Sequence, residues 1–198
     1  TLWQQQQAFW EGGGFGGGGN GIFKSTDGGS TWKPLTEGLP TVLQANIAIA
    51  PTNPKLLYAM VAAAGQNGAS GPVGFYKSDD AGDHWKLAVA GPDGANLRAP
   101  DNRPLNRIGG GDLPTITVDP KNPNVVYSAS TVMWRTEDSG LSWSAVRGAP
   151  GGDDYQKVWI NPSNPDILLA VSDQGAVISA NRGRSWSNWY NQPTGAMY

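Results

Sequence analysis

An eight-residue motif occurs four times in this chain, and a motif recurring at a fixed period of tens of residues constrains the fold more than any other sequence feature. The copies are Ser25-Thr-Asp27-Gly-Gly29-Ser-Thr31-Trp32, Ser78-Asp-Asp80-Ala-Gly82-Asp-His84-Trp85, Thr136-Glu-Asp138-Ser-Gly140-Leu-Ser142-Trp143 and Ser179-Ala-Asn181-Arg-Gly183-Arg-Ser185-Trp186. They share the template Ser/Thr-x-Asp/Asn-x-Gly-x-x-Trp, called the box below. A second motif alternates with it: Ile47-Ala-Ile49-Ala-Pro51-Thr-Asn53-Pro54, Ile116-Thr-Val118-Asp-Pro120-Lys-Asn122-Pro123 and Val158-Trp-Ile160-Asn-Pro162-Ser-Asn164-Pro165, each followed by a short apolar run. Each copy reads as a strand, an Asn-Pro turn and a second strand.

The box tryptophans stand at 32, 85, 143 and 186, so the intervals are 53, 58 and 43 residues. The shortest is the length of one four-stranded propeller blade, ~40–50 residues. The longer two require insertions, expected as loops at 65–72 and 91–112, both rich in turn residues. The expected fold is all-β: a β-propeller segment of about three and a half four-stranded blades. The blade parts are 1–37, 45–90, 113–147 and 156–189, with 190–198 beginning the next blade. In the last full blade the strands fall near 156–160, 167–171, 176–179 and 186–189. Residues 1–10 are ambiguous, since glutamine favours helix while the repeat places a strand there. An array of this size leaves an apolar sheet face at each end, so the chain is expected to be one segment of a larger propeller or to be covered by partners.

Composition narrows the partners. The 28 Gly and 15 Pro mean many turns, and nine Trp argue against disorder. Net charge is −2 without a basic stripe, which argues against nucleic acid, and no apolar run reaches the length of a membrane-spanning helix. Cysteine is absent, which removes disulfides, thiolate metal sites and a cysteine nucleophile. Metal-ligand spacing is absent too, so no metal or other cofactor is expected. Gly14-Phe-Gly16-Gly-Gly-Gly19 fits a dinucleotide fingerprint literally, but it precedes a strand rather than a helix.

Turn chemistry accounts for the box. Asp or Asn accepts backbone N–H groups two residues on, Ser or Thr does so more weakly, Gly supplies positive φ, and Trp packs beside the turn. The box residues are therefore expected to act on stability. His84 belongs to the box face, which separates it from a Ser-His-Asp triad on the other.

These motifs resemble the BNR/Asp-box propeller superfamily, which takes in sialidases, sortilin-type domains, xyloglucanase-type glycoside hydrolases and photosystem-assembly propellers. Asn106-Arg-Ile-Gly-Gly-Gly-Asp112, Gly151-Gly-Asp-Asp-Tyr-Gln156, Ser172-Asp-Gln-Gly175 and Trp189-Tyr-Asn-Gln-Pro-Thr194 resemble large bacterial sortilin-like or glycosyl-hydrolase-like proteins. The resemblance implies an extracellular or periplasmic protein whose ligand site lies on the face opposite the boxes.

The repeat places Glu11, Arg98, Asp101, Arg103, Arg107, Asp112, Asp153, Asp154, Tyr155, Asp173, Gln174, Tyr190 and Asn191 on that opposite face. Two functions follow. One is a binding or scaffold module for a glycan, peptide or protein partner, using Arg103, Arg107, Tyr155, Gln174 and Tyr190, with Trp159 as a further aromatic. The other is a sialidase- or xyloglucanase-like glycoside hydrolase drawing paired carboxylates from Asp112, Asp153, Asp154 and Asp173. The sialidase arginine triad has no residue-by-residue match here.

Overall fold

The computed structural model describes residues 21–64, 70–88, 115–148 and 150–188. All regular structure among these residues is β, arranged in four antiparallel sheets. The first sheet pairs β1 (Ile22–Lys24) with β2 (Lys33–Leu35). The second runs in chain order through β3 (Val42–Ala50), β4 (Asn53–Ala64), β5 (Ser70–Ser78) and β6 (Lys86–Leu87). The third holds β7 (Thr115–Val118), β8 (Val126–Ala129), β9 (Met133–Thr136) and β10 (Ser144–Arg147). The fourth holds β11 (Lys157–Ile160), β12 (Leu168–Ser172) and β13 (Gly175–Ser179). Each sheet is an up-and-down meander, as expected of a blade.

Three details differ from expectation. Blade two begins at Val42 rather than 45, because β3 pairs with β4 from Val42↔Ala63 onward. The first insertion lengthens a hairpin instead of forming a loop across 65–72: Ala62 pairs with Val73 and Ala64 with Ser70. The strand expected near 186–189 is not regular over 186–188. Ser187 donates its N–H to the Ile178 carbonyl (2.8 Å), but its Oγ accepts the Ile178 N–H (2.9 Å) where a ladder would use a backbone oxygen.

Boxes join the third and fourth strands, lying between β1 and β2, β5 and β6, and β9 and β10, with the fourth box following β13. All four have one geometry. The Ser/Thr hydroxyl accepts the N–H two residues on, at 3.3–3.4 Å. It also accepts the glycine N–H four on, at 2.8–2.9 Å. The Asp or Asn oxygen reaches further than expected, to the N–H four residues on, at 2.8–2.9 Å. The i+2 bond thus belongs to the hydroxyl residue, and the carboxylate closes the far side of the loop. The tryptophan Nε1–H donates to the box glycine carbonyl in every copy, at 2.8–3.1 Å. Two adjacent residues take positive φ: the glycine, and the residue before it, Gly28 at 71° and Ala81, Ser139 and Arg182 at 59–63°.

The second motif locks onto the box of its own blade. In each Asn-Pro-x unit the Asn side chain accepts the N–H of x, since proline has none to offer (Asn53 to Lys55, Asn122 to Asn124, Asn164 to Asp166). The carbonyl of x then accepts the N–H of the left-handed box residue: Lys55 from Ala81, Asn124 from Ser139 and Asp166 from Arg182, at 2.7–3.0 Å. The two repeats are two halves of one fastening on one face of the array.

Blades pack face to face through three cores. Ile22 and Leu35 of blade one meet Val42, Ala45, Ala59, Val61 and Trp85 of blade two. Tyr58, Met60 and Phe75 of blade two meet Ile116, Val118, Val126, Trp134 and Trp143 of blade three. Tyr127, Ala129 and Met133 of blade three meet Val158, Ile160, Leu168 and Val177 of blade four. Each box tryptophan from the second onward packs against the preceding blade. A further prediction follows from the box carboxylates. The Thr31 side chain and backbone and the Ser25 hydroxyl hold the Asp27 carboxyl at about 2, against an ordinary value of about 4. A folded-state value below the unfolded one favours the ionised form, so this contribution is complete above pH about 4 and is lost as pH falls through 2. Asn181 cannot titrate. We expect the Asp27 carboxyl resonance to titrate near pH 2 while the Ser185 amide, bound to Asn181, does not follow it; a midpoint near 4 contradicts the box geometry.

Candidate functional site

Three segments meet on the face opposite the boxes: the β8–β9 turn, the linker from β10 to β11, and the β12–β13 turn. The linker reaches β11 through Gly152 (φ 116°) and Asp154 (φ 47°), both left-handed. A non-glycine residue there is strained by about 1–3 kcal/mol and is held by its surroundings. Tyr155 does the holding. Its N–H bonds the Ser130 carbonyl of blade three (2.8 Å), its hydroxyl donates to the Gly151 carbonyl (2.8 Å), and its ring lies in the core between blades three and four at 2% exposure. Burial pushes its hydroxyl pKa up. Tyr155 was expected as a ligand-binding aromatic; the structure buries it, because a linker crossing between blades needs an apolar anchor.

Asp153 and Gln174 form a reciprocal pair. The Gln174 amide donates to the Asp153 carboxylate at 2.6 Å, and its oxygen accepts the Asp153 N–H at 3.3 Å. Both side chains are exposed. The pair ties the incoming linker to the β12–β13 turn, where Asp173 is half-buried beside it. Asp154 is exposed on the linker, and its carbonyl accepts from the Gln156 amide. The structure thus brings Asp153, Asp154, Asp173 and Gln174 onto one face. Glu11, Arg98, Asp101, Arg103, Arg107, Asp112, Tyr190 and Asn191 lie outside the described residues. Ser130 was missed, since a serine in a turn carries no sequence signal for accepting a linker from the next blade.

On the box face His84 takes the place of the hydroxyls of the other copies, its Nδ1 lying 2.6 Å from Asp80 Oδ2. The backbone and side chain of His84 hold the Asp80 carboxyl well below the usual carboxylate range. This is the role of Thr31 and Ser142, which bond Asp27 and Asp138 at 2.6 and 2.5 Å, so His84 is a box residue. Asp138 is the most buried of these carboxylates. Burial opposes its ionisation most strongly, but bonds from the Ser142 side chain and backbone and from Thr136 outweigh it and lower its pKa. Asp138→Ala should therefore cost about 1–2 kcal/mol in a denaturant titration, through lost turn bonds.

A groove of about 430 Å³ runs along the innermost strands β3, β7 and β11 of blades two to four. Ile49, Thr117, Lys157 and Trp159 line it, and no carboxylate does. A second concavity, about 270 Å³ beside β1, β2 and the start of β3, also lacks carboxylates. Among the described residues no cluster of three or more His, Cys, Asp or Glu side chains is placed to hold a metal ion, and no helix is long and apolar enough to cross a membrane.

Successive four-stranded meanders, stacked face to face with their innermost strands side by side, define the chain as part of a β-propeller. Comparison with known proteins agrees. A Paenibacillus sp. xyloglucanase is 28% identical over 151 residues, which cover 66% of this chain and 14% of that protein. The GH74 enzyme of Niastella koreensis superimposes with a TM-score of 0.62 at 19% identity, over 88% of this chain and 27% of its own. The GH74 xyloglucanase of Xanthomonas campestris gives 0.55 at 19% identity, over 83% and 26%. The chain therefore spans only a small part of each protein it matches. No family model matches it.

Proposed function

We propose that the chain is an Asp-box segment of a larger, secreted β-propeller of the sortilin-like or glycosyl-hydrolase-like kind, and that it binds a glycan on the face opposite the boxes. The single segment 1–198 is continued by further blades. The observation that carries the binding reading is the Asp153–Gln174 pair: an exposed carboxylate and amide held in fixed geometry by each other. Pre-positioned acceptors and donors of this kind suit a hydroxyl-rich ligand, since little ordering cost remains to be met on binding. Similarity to xyloglucanases favours a glycan over a peptide or protein partner. Arg103, Arg107 and Tyr190 are proposed to complete the site.

The alternative is glycoside hydrolysis, for which Asp112, Asp153, Asp154 and Asp173 remain the candidate carboxylates. Binding is preferred because Asp153 is already engaged by Gln174 and the concave surfaces described above lack carboxylates. Titration calorimetry with xyloglucan oligosaccharides, alongside an assay for released reducing ends, separates the two. We expect binding without product, and roughly tenfold weaker affinity in Asp153→Asn, about 1.4 kcal/mol. Turnover by the native chain that Asp153→Asn abolishes while affinity persists would establish the hydrolase instead.

A further inference from the structure

The two ends of the array are complementary. In every internal interface the box side of one blade packs on the strand face of the blade before it. A Cβ on Gly82 would lie 3.1 Å from Leu35, one on Gly140 2.5 Å from Phe75, and one on Gly183 2.4 Å from Val146, each side chain belonging to the preceding blade. Trp85, Trp143 and Trp186 follow their glycines into the same interfaces. In the first box the position is open. Gly29 meets only its own Trp32, Gly28 meets nothing, and Trp32 is 60% exposed.

The opposite end shows the matching half. Trp159, Leu169 and Ile178 are register partners across β11, β12 and β13 and therefore share one face. The corresponding row in blade three is Thr117, Tyr127 and Arg135. That row faces blade four: Thr117 bonds the Val158 carbonyl and Arg135 bonds the carbonyl of Arg182 in the next box. Blade one uses Lys24 in the same way, on Asp83 of the next box. In blade four this position is Ile178, 54% exposed, and its row ends in Trp159, 47% exposed. The face that should receive a box thus carries no tether, and the first box presents at its fourth position a glycine where later boxes carry Ala81, Ser139 and Arg182. An untethered apolar row fits an unencumbered box.

We propose that the blade-four face receives the first blade of a second copy of this chain, Trp32 seating against Trp159, Leu169 and Ile178 as Trp143 seats against blade two. This rests on the reading that the array is incomplete by itself. The contact is head-to-tail, so it closes into a ring or continues as a chain; two copies bring together on the order of eight blades, within the usual propeller range.

Sedimentation velocity over a concentration series tests it, using Trp32→Ala and Ile178→Lys. Both positions are exposed, and lysine is what blades one and two carry at the second of them, so both variants should keep the native melting temperature. The native chain is expected to self-associate, and each variant alone to associate at least roughly tenfold more weakly, as loss of a central apolar anchor does. Mixed in equal amounts, the variants should form a one-to-one dimer and nothing larger, since only one sound pair of ends remains. Association that survives both substitutions, or a mixture that stays monomeric, overturns the proposal. A native chain that stays monomeric with Trp32 and Ile178 open to solvent also overturns it, while leaving the incomplete array standing; a monomer with both ends covered overturns both.

Discussion

Trp143→Ala should destabilise the protein by about 3–5 kcal/mol, the usual cost of removing a large aromatic side chain from a packed core. Trp143 is 1% exposed. Its ring meets Phe75 of blade two edge-on at 5.0 Å between centroids, and Phe75 stacks on Tyr58 at 5.3 Å. The substitution removes the indole from the interface between blades two and three and leaves a cavity among side chains held by two separate sheets. It also frees the Gly140 carbonyl that the indole N–H had satisfied. Trp32→Ala makes the same chemical change at the equivalent position of the first box, where the ring is exposed, and should cost far less. Denaturant midpoints of the two variants check this directly. Equal losses at both positions would mean that the tryptophan acts through its own turn and not through the preceding blade.

Gly140→Ala should be nearly as damaging, at roughly 2–5 kcal/mol, and for two separable reasons. Its φ of 97° lies in the left-handed region, where a side chain costs about 1–3 kcal/mol. The added methyl would also stand 2.5 Å from the Phe75 ring and 3.3 Å from the Ala88 Cβ, forcing apart two packed blades at a further cost of about 1–3 kcal/mol. Gly29→Ala isolates the first term. Its φ is 94° and its nearest neighbour is its own Trp32 at 3.7 Å, so it carries the backbone strain without the clash. Thermal unfolding of the pair should show Gly140→Ala melting well below Gly29→Ala. The same melting temperature for both would remove the inter-blade contact from the explanation.

Much of this architecture is legible in the residues because the box and the Asn-Pro turn satisfy themselves locally. A hydroxyl, a carboxylate or amide, a glycine and a tryptophan at fixed spacing close one loop with their own atoms, as Thr136, Asp138, Gly140 and Trp143 do. What joins one loop to the next is less visible. The bond from the Ser139 N–H to the Asn124 carbonyl links two motifs fifteen residues apart through backbone atoms, which leave no trace in residue type. The candidate site was legible only in part for the same reason. Asp153 and Gln174 read as polar turn residues, and their pairing depends on how the linker crosses between blades. Tyr155 reads as a surface aromatic beside two aspartates, yet its ring turns inward because Ser130 and Gly151 fix its backbone and hydroxyl. A box glycine announces positive φ, but the crowding by Phe75 behind Gly140 comes from a different blade.

The most direct test of the stacked-blade account is a nuclear Overhauser spectrum of the protein labelled in phenylalanine and tryptophan. Phe75 and Trp143 lie in different sheets, and their rings touch only if blade two packs face to face on blade three. The account predicts strong cross-peaks between the Phe75 and Trp143 rings, together with slow solvent exchange of the Trp143 indole proton and fast exchange of that of Trp32. Absent cross-peaks, with equally fast exchange at both indoles, would contradict it.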